Sequence, residues 1–91
     1  MAVLTRVLLD VLKPHDPNIL ELARALSDIG AYGVRVRVVE MDKNTESLTI
    51  EITGPSLDFD SIHQVIRDLG ASLHSIDEVD VEGSQAGPQS E

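Results

Sequence analysis

The chain has 91 residues, no cysteine and a formal net charge of −9, with 16 acidic side chains against 7 basic ones. This length accommodates one domain, and the lack of cysteine excludes disulfides, thiolate metal sites and cysteine nucleophiles. An acidic surface is unsuited to nucleic acid, whose phosphates require basic partners.

The first predicted element is a strand from Val3 to Leu12, whose near-continuous Val and Leu content is typical of a central strand. A turn at Lys13–Pro14 follows. Asp16 is the expected N-cap of a helix, with Pro17 at the first helical position, where its missing N–H costs nothing. Gly30 is expected to end this helix in a left-handed conformation. One apolar stripe runs along the helix: Ile19, Leu22, Ala23 and Leu26.

Two alternating segments then predict a β-hairpin. Apolar and polar residues alternate from Val34 to Met41 and again from Leu48 to Thr53, which is typical of strands with one face in contact with water. The intervening stretch 42–46 has the polar composition of a turn.

A second helix is predicted to begin after Asp58 as its N-cap. Leu57, before the cap, and Ile62, at the fourth helical position, are placed for a hydrophobic staple. Gly70 is expected to end this helix as Gly30 ends the first.

The last predicted strand runs from Ala71 to Val81, and its irregular alternation indicates a bulge. The predicted domain covers residues 1–82, and the Gly-, Ser- and Gln-rich stretch 83–91 is expected to be a disordered tail. Two β-α-β halves predict an α+β, ferredoxin-like β-α-β-β-α-β fold. Its four-stranded antiparallel sheet has the order 4-1-3-2, with both helices on one face.

The other sheet face is expected to be bare and to mix charged with apolar side chains. A face of this kind packs against a second subunit in many proteins, so we expect a homo-oligomer that uses the exposed sheet face. Arg35 and Arg37 on this face are expected to pair with acidic residues of a neighbouring subunit. The other expected members of the bare face are Arg6, Leu8, Asp10, Val39, Thr49, Glu51, Thr53, His74, Ile76 and Glu78.

Four segments together resemble a small, mostly archaeal family of unknown function, DUF211. They are Leu9–His15, Val39–Lys43, Leu57–Asp60 and His74–Val79. The resemblance extends from Val3 to about Val81. It implies the ferredoxin-like fold, a tendency to form homo-oligomers and divalent-cation binding, and it implies no established activity.

The strongest candidate for chemistry lies where the first and last strands pair. Antiparallel pairing brings Asp10 close to His74, with Asp77 and Glu78 a few residues farther along. Carboxylates and an imidazole are ligands for calcium, magnesium or zinc, whereas the lack of thiolate disfavours soft metals. The structural alternative is that Asp10 and His74 form a hydrogen bond across the sheet or at a subunit contact.

A second acidic cluster, with Glu40 and Asp42 as candidate metal ligands, surrounds the predicted hairpin turn. The pattern Asp42-x-Asn44-x-Glu46 opens like a calcium loop, but Ser47 stands where an EF-hand requires Gly. A solvated turn therefore explains this cluster better than a calcium site does.

These features favour a non-enzymatic, homo-oligomeric binding protein that holds a divalent cation. The alternative is a small-molecule module resembling ACT domains, which bind amino acids or similar effectors near the first β-α loop. A third option is an enzyme whose metal-activated water forms only at a subunit boundary. No apolar run is long enough to span a membrane and no signal peptide is evident, so the expected location is the cytoplasm.

Overall fold

A four-stranded antiparallel sheet carries two α-helices in the computed structural model, which describes residues 2–83. The sheet order is β2-β3-β1-β4, which is the predicted order read from the opposite edge, and the ferredoxin-like fold is confirmed. No helix in this part of the chain is long and apolar enough to cross a membrane. The elements are β1 (Ala2–Pro14), α1 (Ile19–Asp28), β2 (Gly33–Met41), β3 (Thr45–Thr53), α2 (Phe59–Asp68) and β4 (Ser72–Gly83).

The core lies between the sheet and the helices. β1 and β3 are the two central strands, and every second residue is fully buried from Val7 to Lys13 in β1 and from Leu48 to Ile52 in β3. α1 packs against β2, α2 packs against β4, and the helices contact each other, so both cover the same sheet face. Burying an aliphatic side chain of this size contributes about 1.5–3 kcal/mol. The fully buried aliphatic residues are Val7, Leu9, Val11, Leu22, Leu26, Leu48, Ile50, Ile52, Ile62 and Ile66.

The first helix begins two residues later than the sequence predicts. Its N-cap is Asn18, not Asp16, because Oδ1 of Asn18 accepts a 2.9 Å hydrogen bond from the N–H of Glu21. Pro17 therefore precedes the cap instead of occupying the first helical position. Its carbonyl accepts a hydrogen bond from Nζ of Lys13, which holds this stretch in a turn around the lysine.

The left-handed residue after α1 is Ala31, with φ 57°, and not Gly30. Gly30 has a different role, because a Cβ added there would lie 2.6 Å from Cε1 of Tyr32. The hydroxyl of Tyr32 accepts a 2.9 Å hydrogen bond from the N–H of Asp58, the N-cap of α2. The tyrosine ring thus joins the end of the first helix to the start of the second. The predicted cap at Asp58 is confirmed, and Gly70 ends α2 with φ 80°.

β4 is irregular, as predicted, with three register shifts along its pairing with β1. One of them places Ile76 opposite Leu9, which is a core residue, so Ile76 lies on the helix side at the sheet edge. The prediction that Ile76 belongs to the bare face is wrong, because the extra residue in the bulge reverses the alternation. The strand continues through Gly83, and the rest of the predicted tail, 84–91, lies outside the described residues.

Candidate functional site

Asp10 and His74 lie side by side on the bare face of the sheet. Nδ1 of His74 donates a 3.0 Å hydrogen bond to Oδ2 of Asp10, in agreement with the predicted pairing of the first and last strands. The side chain of His74 is 77% exposed and that of Asp10 39% exposed. Nε2 of His74 has no hydrogen-bond partner within residues 2–83, so this pair presents one imidazole nitrogen as an available ligand.

The two acidic residues predicted to join this pair have other partners. Oε1 of Glu78 accepts a 2.9 Å hydrogen bond from Nη1 of Arg6. Oδ1 of Asp77 accepts a 2.7 Å hydrogen bond from Oγ of Ser75. Asp10 is therefore in contact with His74, whereas the carboxylates of Glu78 and Asp77 bind Arg6 and Ser75.

Arg6 is the centre of an ion-pair network on the same face. Its Nε lies 2.6 Å from Oε2 of Glu51, and its Nη1 lies 3.8 Å from Oδ1 of Asp80. The hydrogen bonds that Arg6 donates to Glu51 and Glu78 raise the pKa of Arg6. The guanidinium of Arg6 in turn lowers the pKa of Glu51, with a smaller contribution from the nearby charge of Arg35.

The second predicted cluster does not join the first. Glu40 lies in β2 opposite Ser47, two strand spacings or about 10 Å from β1. Asp42 lies in the hairpin loop, where its N–H donates a 2.8 Å hydrogen bond to the carbonyl of Thr45. Within residues 2–83, no group of three or more His, Asp or Glu side chains is arranged to hold a metal ion. A complete site would therefore need ligands from outside this part of one chain, and the metal site stays a prediction.

Glu46 differs from the solvated turn residue that the sequence predicts, because its side chain is only 9% exposed. Its Oε1 lies 3.1 Å from Nζ of Lys13, and its Oε2 lies 2.9 Å from Nδ1 of His15. We call these three residues the Lys13 cluster. The hydrogen bond to Glu46, followed by one to the carbonyl of Lys43, raises the pKa of His15. The same contact with His15, followed by that with Lys13, lowers the pKa of Glu46.

The Lys13 cluster also fixes the conformation of the first β-α loop. Nζ of Lys13 donates to the carbonyls of Pro14 and Pro17, and Nε2 of His15 lies 3.1 Å from the carbonyl of Asp42. These contacts tie the loop to the hairpin. The small-molecule alternative stays a prediction, and this loop gives it no support.

A shallow cavity of about 200 Å³ lies elsewhere on the bare face. Arg35 and Arg37 of β2 contribute to it, and neither makes a side-chain hydrogen bond or an ion pair within the part of the chain that the structure describes. Neither arginine was predicted to bind a small ligand, although alternate arginines on a wet strand face were a visible signal. The residues that line this arginine cavity are Arg6, Leu8, Arg35, Arg37, Thr49 and Glu51.

Comparison with known proteins gives two matches that assign no activity. The model of the family DUF211, described as "Uncharacterized ArCR", matches residues 5–86. An uncharacterized protein from Methanocaldococcus jannaschii is 47% identical over 75 residues, which are 81% of this chain and 77% of that protein.

Proposed function

The chain belongs to the DUF211 family, and we propose that it is a non-enzymatic, homo-oligomeric protein that binds a divalent cation at His74. The observation that carries this proposal is the 3.0 Å contact between Nδ1 of His74 and Asp10. Metal-binding histidines commonly donate one ring N–H to a carboxylate, which orients the ring and makes the other nitrogen a better ligand. Asp10 and His74 have this arrangement, with Nε2 left as the donor atom.

The chemistry of this donor favours zinc over calcium. Neutral imidazole is a common zinc ligand, whereas calcium and magnesium prefer oxygen. One imidazole does not hold a zinc ion alone, because protein zinc sites have three or four protein ligands. Side chains of a neighbouring subunit would have to supply the remaining ligands of such a site.

Exposed apolar residues on the two edge strands support the assembly. Seven large apolar side chains are exposed in the described part of the chain, and five of them lie on β2 and β4. Long edge strands with unpaired backbone groups are templates for pairing with another chain. A contact between β2 of one copy and β4 of the next would be head-to-tail and would close into a ring or extend as a filament. The five residues are Val39, Met41, Ile76, Val79 and Val81.

Native mass spectrometry with and without zinc, calcium and magnesium tests both parts of the proposal. We expect an oligomer of defined size that takes up zinc in a fixed ratio to the number of subunits. The variant H74A should lose zinc, and D10N should bind it 10- to 100-fold more weakly, as loss of an orienting carboxylate generally does. The matched control is H63A, which removes a histidine of α2. A metal-free monomer would refute the proposal.

The edge-strand contact has its own test. The substitution V79K places a charge on β4, and L20K places the same charge on α1, where Leu20 is similarly exposed at 54% against 52% for Val79. We expect V79K to dissociate the oligomer and L20K to leave its mass unchanged, because β4 would lie in the contact and α1 would not. Equal effects of the two substitutions would exclude the edge strand as the interface.

A further inference from the structure

The basic residues of this acidic chain are concentrated at one place on its bare sheet face. Three of the 7 basic side chains line the arginine cavity: Arg6, Arg35 and Arg37. One acid, Glu51, lines it with them and lies 2.6 Å from Arg6. The cavity lining thus carries a formal charge of +2, whereas the whole chain carries −9.

From this arrangement we propose that the arginine cavity binds a small organic dicarboxylate. Arg35 and Arg37 are alternate residues of β2, so they share a sheet face and their Cα atoms lie about 6.8 Å apart. Each guanidinium presents a planar fork of donors that matches one carboxylate group. Neither forms an ion pair or a side-chain hydrogen bond within residues 2–83, although Arg35 lies opposite Glu51. Arg6, by contrast, is already paired with Glu51 and Glu78.

The remaining lining favours a dicarboxylate over inorganic phosphate. Leu8 contributes an apolar side chain to the cavity. This side chain would contact the methylene groups of a linear dicarboxylate, whereas a phosphate ion has no apolar group to pack against it. Thr49 adds a hydroxyl that can donate to a carboxylate oxygen. The volume of about 200 Å³ is below the range typical of drug-sized ligands, which restricts the occupant to a small molecule.

The same lining argues against a zwitterionic amino acid. Its ammonium group would lie among guanidinium groups and would need a carboxylate partner. Glu51 is the acid in the cavity lining, and its pKa is lowered because its carboxylate is already bound to Arg6. A ligand with two carboxylates and no cation fits these charges better.

Isothermal titration calorimetry with malonate, succinate, glutarate and adipate tests the proposal on the full chain, with acetate and inorganic phosphate for comparison. We expect one dicarboxylate to bind best, because two fixed guanidinium groups select one chain length. Acetate should bind much more weakly. Phosphate that binds as tightly as the best dicarboxylate would overturn the assignment of a dicarboxylate site.

Variants distinguish binding in the cavity from a general effect of lost positive charge. R35A and R37A should each raise the dissociation constant roughly tenfold, and the double variant should abolish binding. The control R24A/R67A removes the same charge from exposed positions on the two helices and should leave binding unchanged. Circular dichroism of each variant checks that the fold is intact.

A different result would assign the arginines to a subunit contact. If no dicarboxylate binds, the proposal is wrong. A change in the number of subunits in R35A/R37A would then indicate that acidic residues of a second copy occupy the cavity. Loss of zinc binding in H74A with dicarboxylate binding retained would leave this proposal standing, since the two sites share no residue.

Discussion

Nζ of Lys13 lies 3.1 Å from Oε1 of Glu46, and the lysine side chain is fully buried. Its other protons go to the carbonyls of Pro14 and Pro17, so all three donors of the ammonium group are used. The two residues face each other in the pairing of β1 with β3. A charged pair therefore closes the end of an otherwise apolar core and fixes the path of the chain into α1.

The first prediction concerns this buried charge. Replacing Lys13 with methionine leaves Glu46 without its ammonium partner in a site shielded from water. We expect the free energy of unfolding in urea to fall by about 3 kcal/mol. The surface control R24M, at an exposed position on α1, should change it by no more than about 0.5 kcal/mol. Equal effects of K13M and R24M would mean that the pair does not stabilise the fold.

The second prediction concerns the pH dependence of the same cluster. The pKa of His15 is raised above its ordinary 6.5, so its interaction stabilises the fold below pH 6.5 and is lost as pH rises through the raised value. The pKa of Glu46 is lowered below its ordinary 4.5, so its contribution is present above pH 4.5 and is lost as pH falls through the lowered value. The cluster should therefore stabilise the fold most between about pH 4.5 and pH 6.5.

Thermal unfolding of the native chain and of H15N across pH 3–10 measures this dependence. The difference in Tm between the two proteins should be largest between about pH 4.5 and pH 6.5 and should shrink above neutral pH. The difference removes the contributions of other carboxylates, such as Glu51 and Asp58, whose pKa values are also lowered. A Tm difference that grows at alkaline pH would contradict the assignment.

The third prediction separates two neighbouring candidates for the cap of α1. Asn18 accepts the N–H of Glu21 at 2.9 Å, whereas Asp16 lies in the preceding loop. We expect N18A to lower the free energy of unfolding by about 1 kcal/mol, as loss of an N-cap generally does. D16A is the matched control and should have little effect. A larger loss in D16A than in N18A would instead support Asp16 as the N-cap, as the sequence predicts.

The fold was predictable because its signals are local. Alternating apolar residues in β2 and β3, the cap at Asp58 and the glycine at Gly70 each specify an element from a few neighbouring positions. Element order then leaves few permitted sheet topologies. The contact between Asp10 and His74 followed from that topology, although its role as a metal site stays a prediction.

The parts that could not be predicted depend on contacts between distant residues. His15 and Glu46 are 31 positions apart, and a lysine at the end of an apolar strand has the same local sequence pattern whether it is buried or solvated. The choice of Asn18 over Asp16 follows from the hydrogen bonds that draw the loop around Lys13. Propensity alone ranks the two residues about equally as caps.

The fourth prediction concerns the contact between Gly30 and Tyr32. A Cβ at position 30 would lie 2.6 Å from Cε1 of Tyr32, so G30A must displace the ring and weaken its hydrogen bond to Asp58. We expect a loss of about 1–3 kcal/mol, typical of overpacking, in urea unfolding monitored by circular dichroism. The control is G83A at the end of β4, where an added Cβ meets nothing within 4 Å. If Y32F loses the hydrogen bond and G30A adds little to that loss, the two substitutions act through the same contact, whereas fully additive losses would show that they act separately.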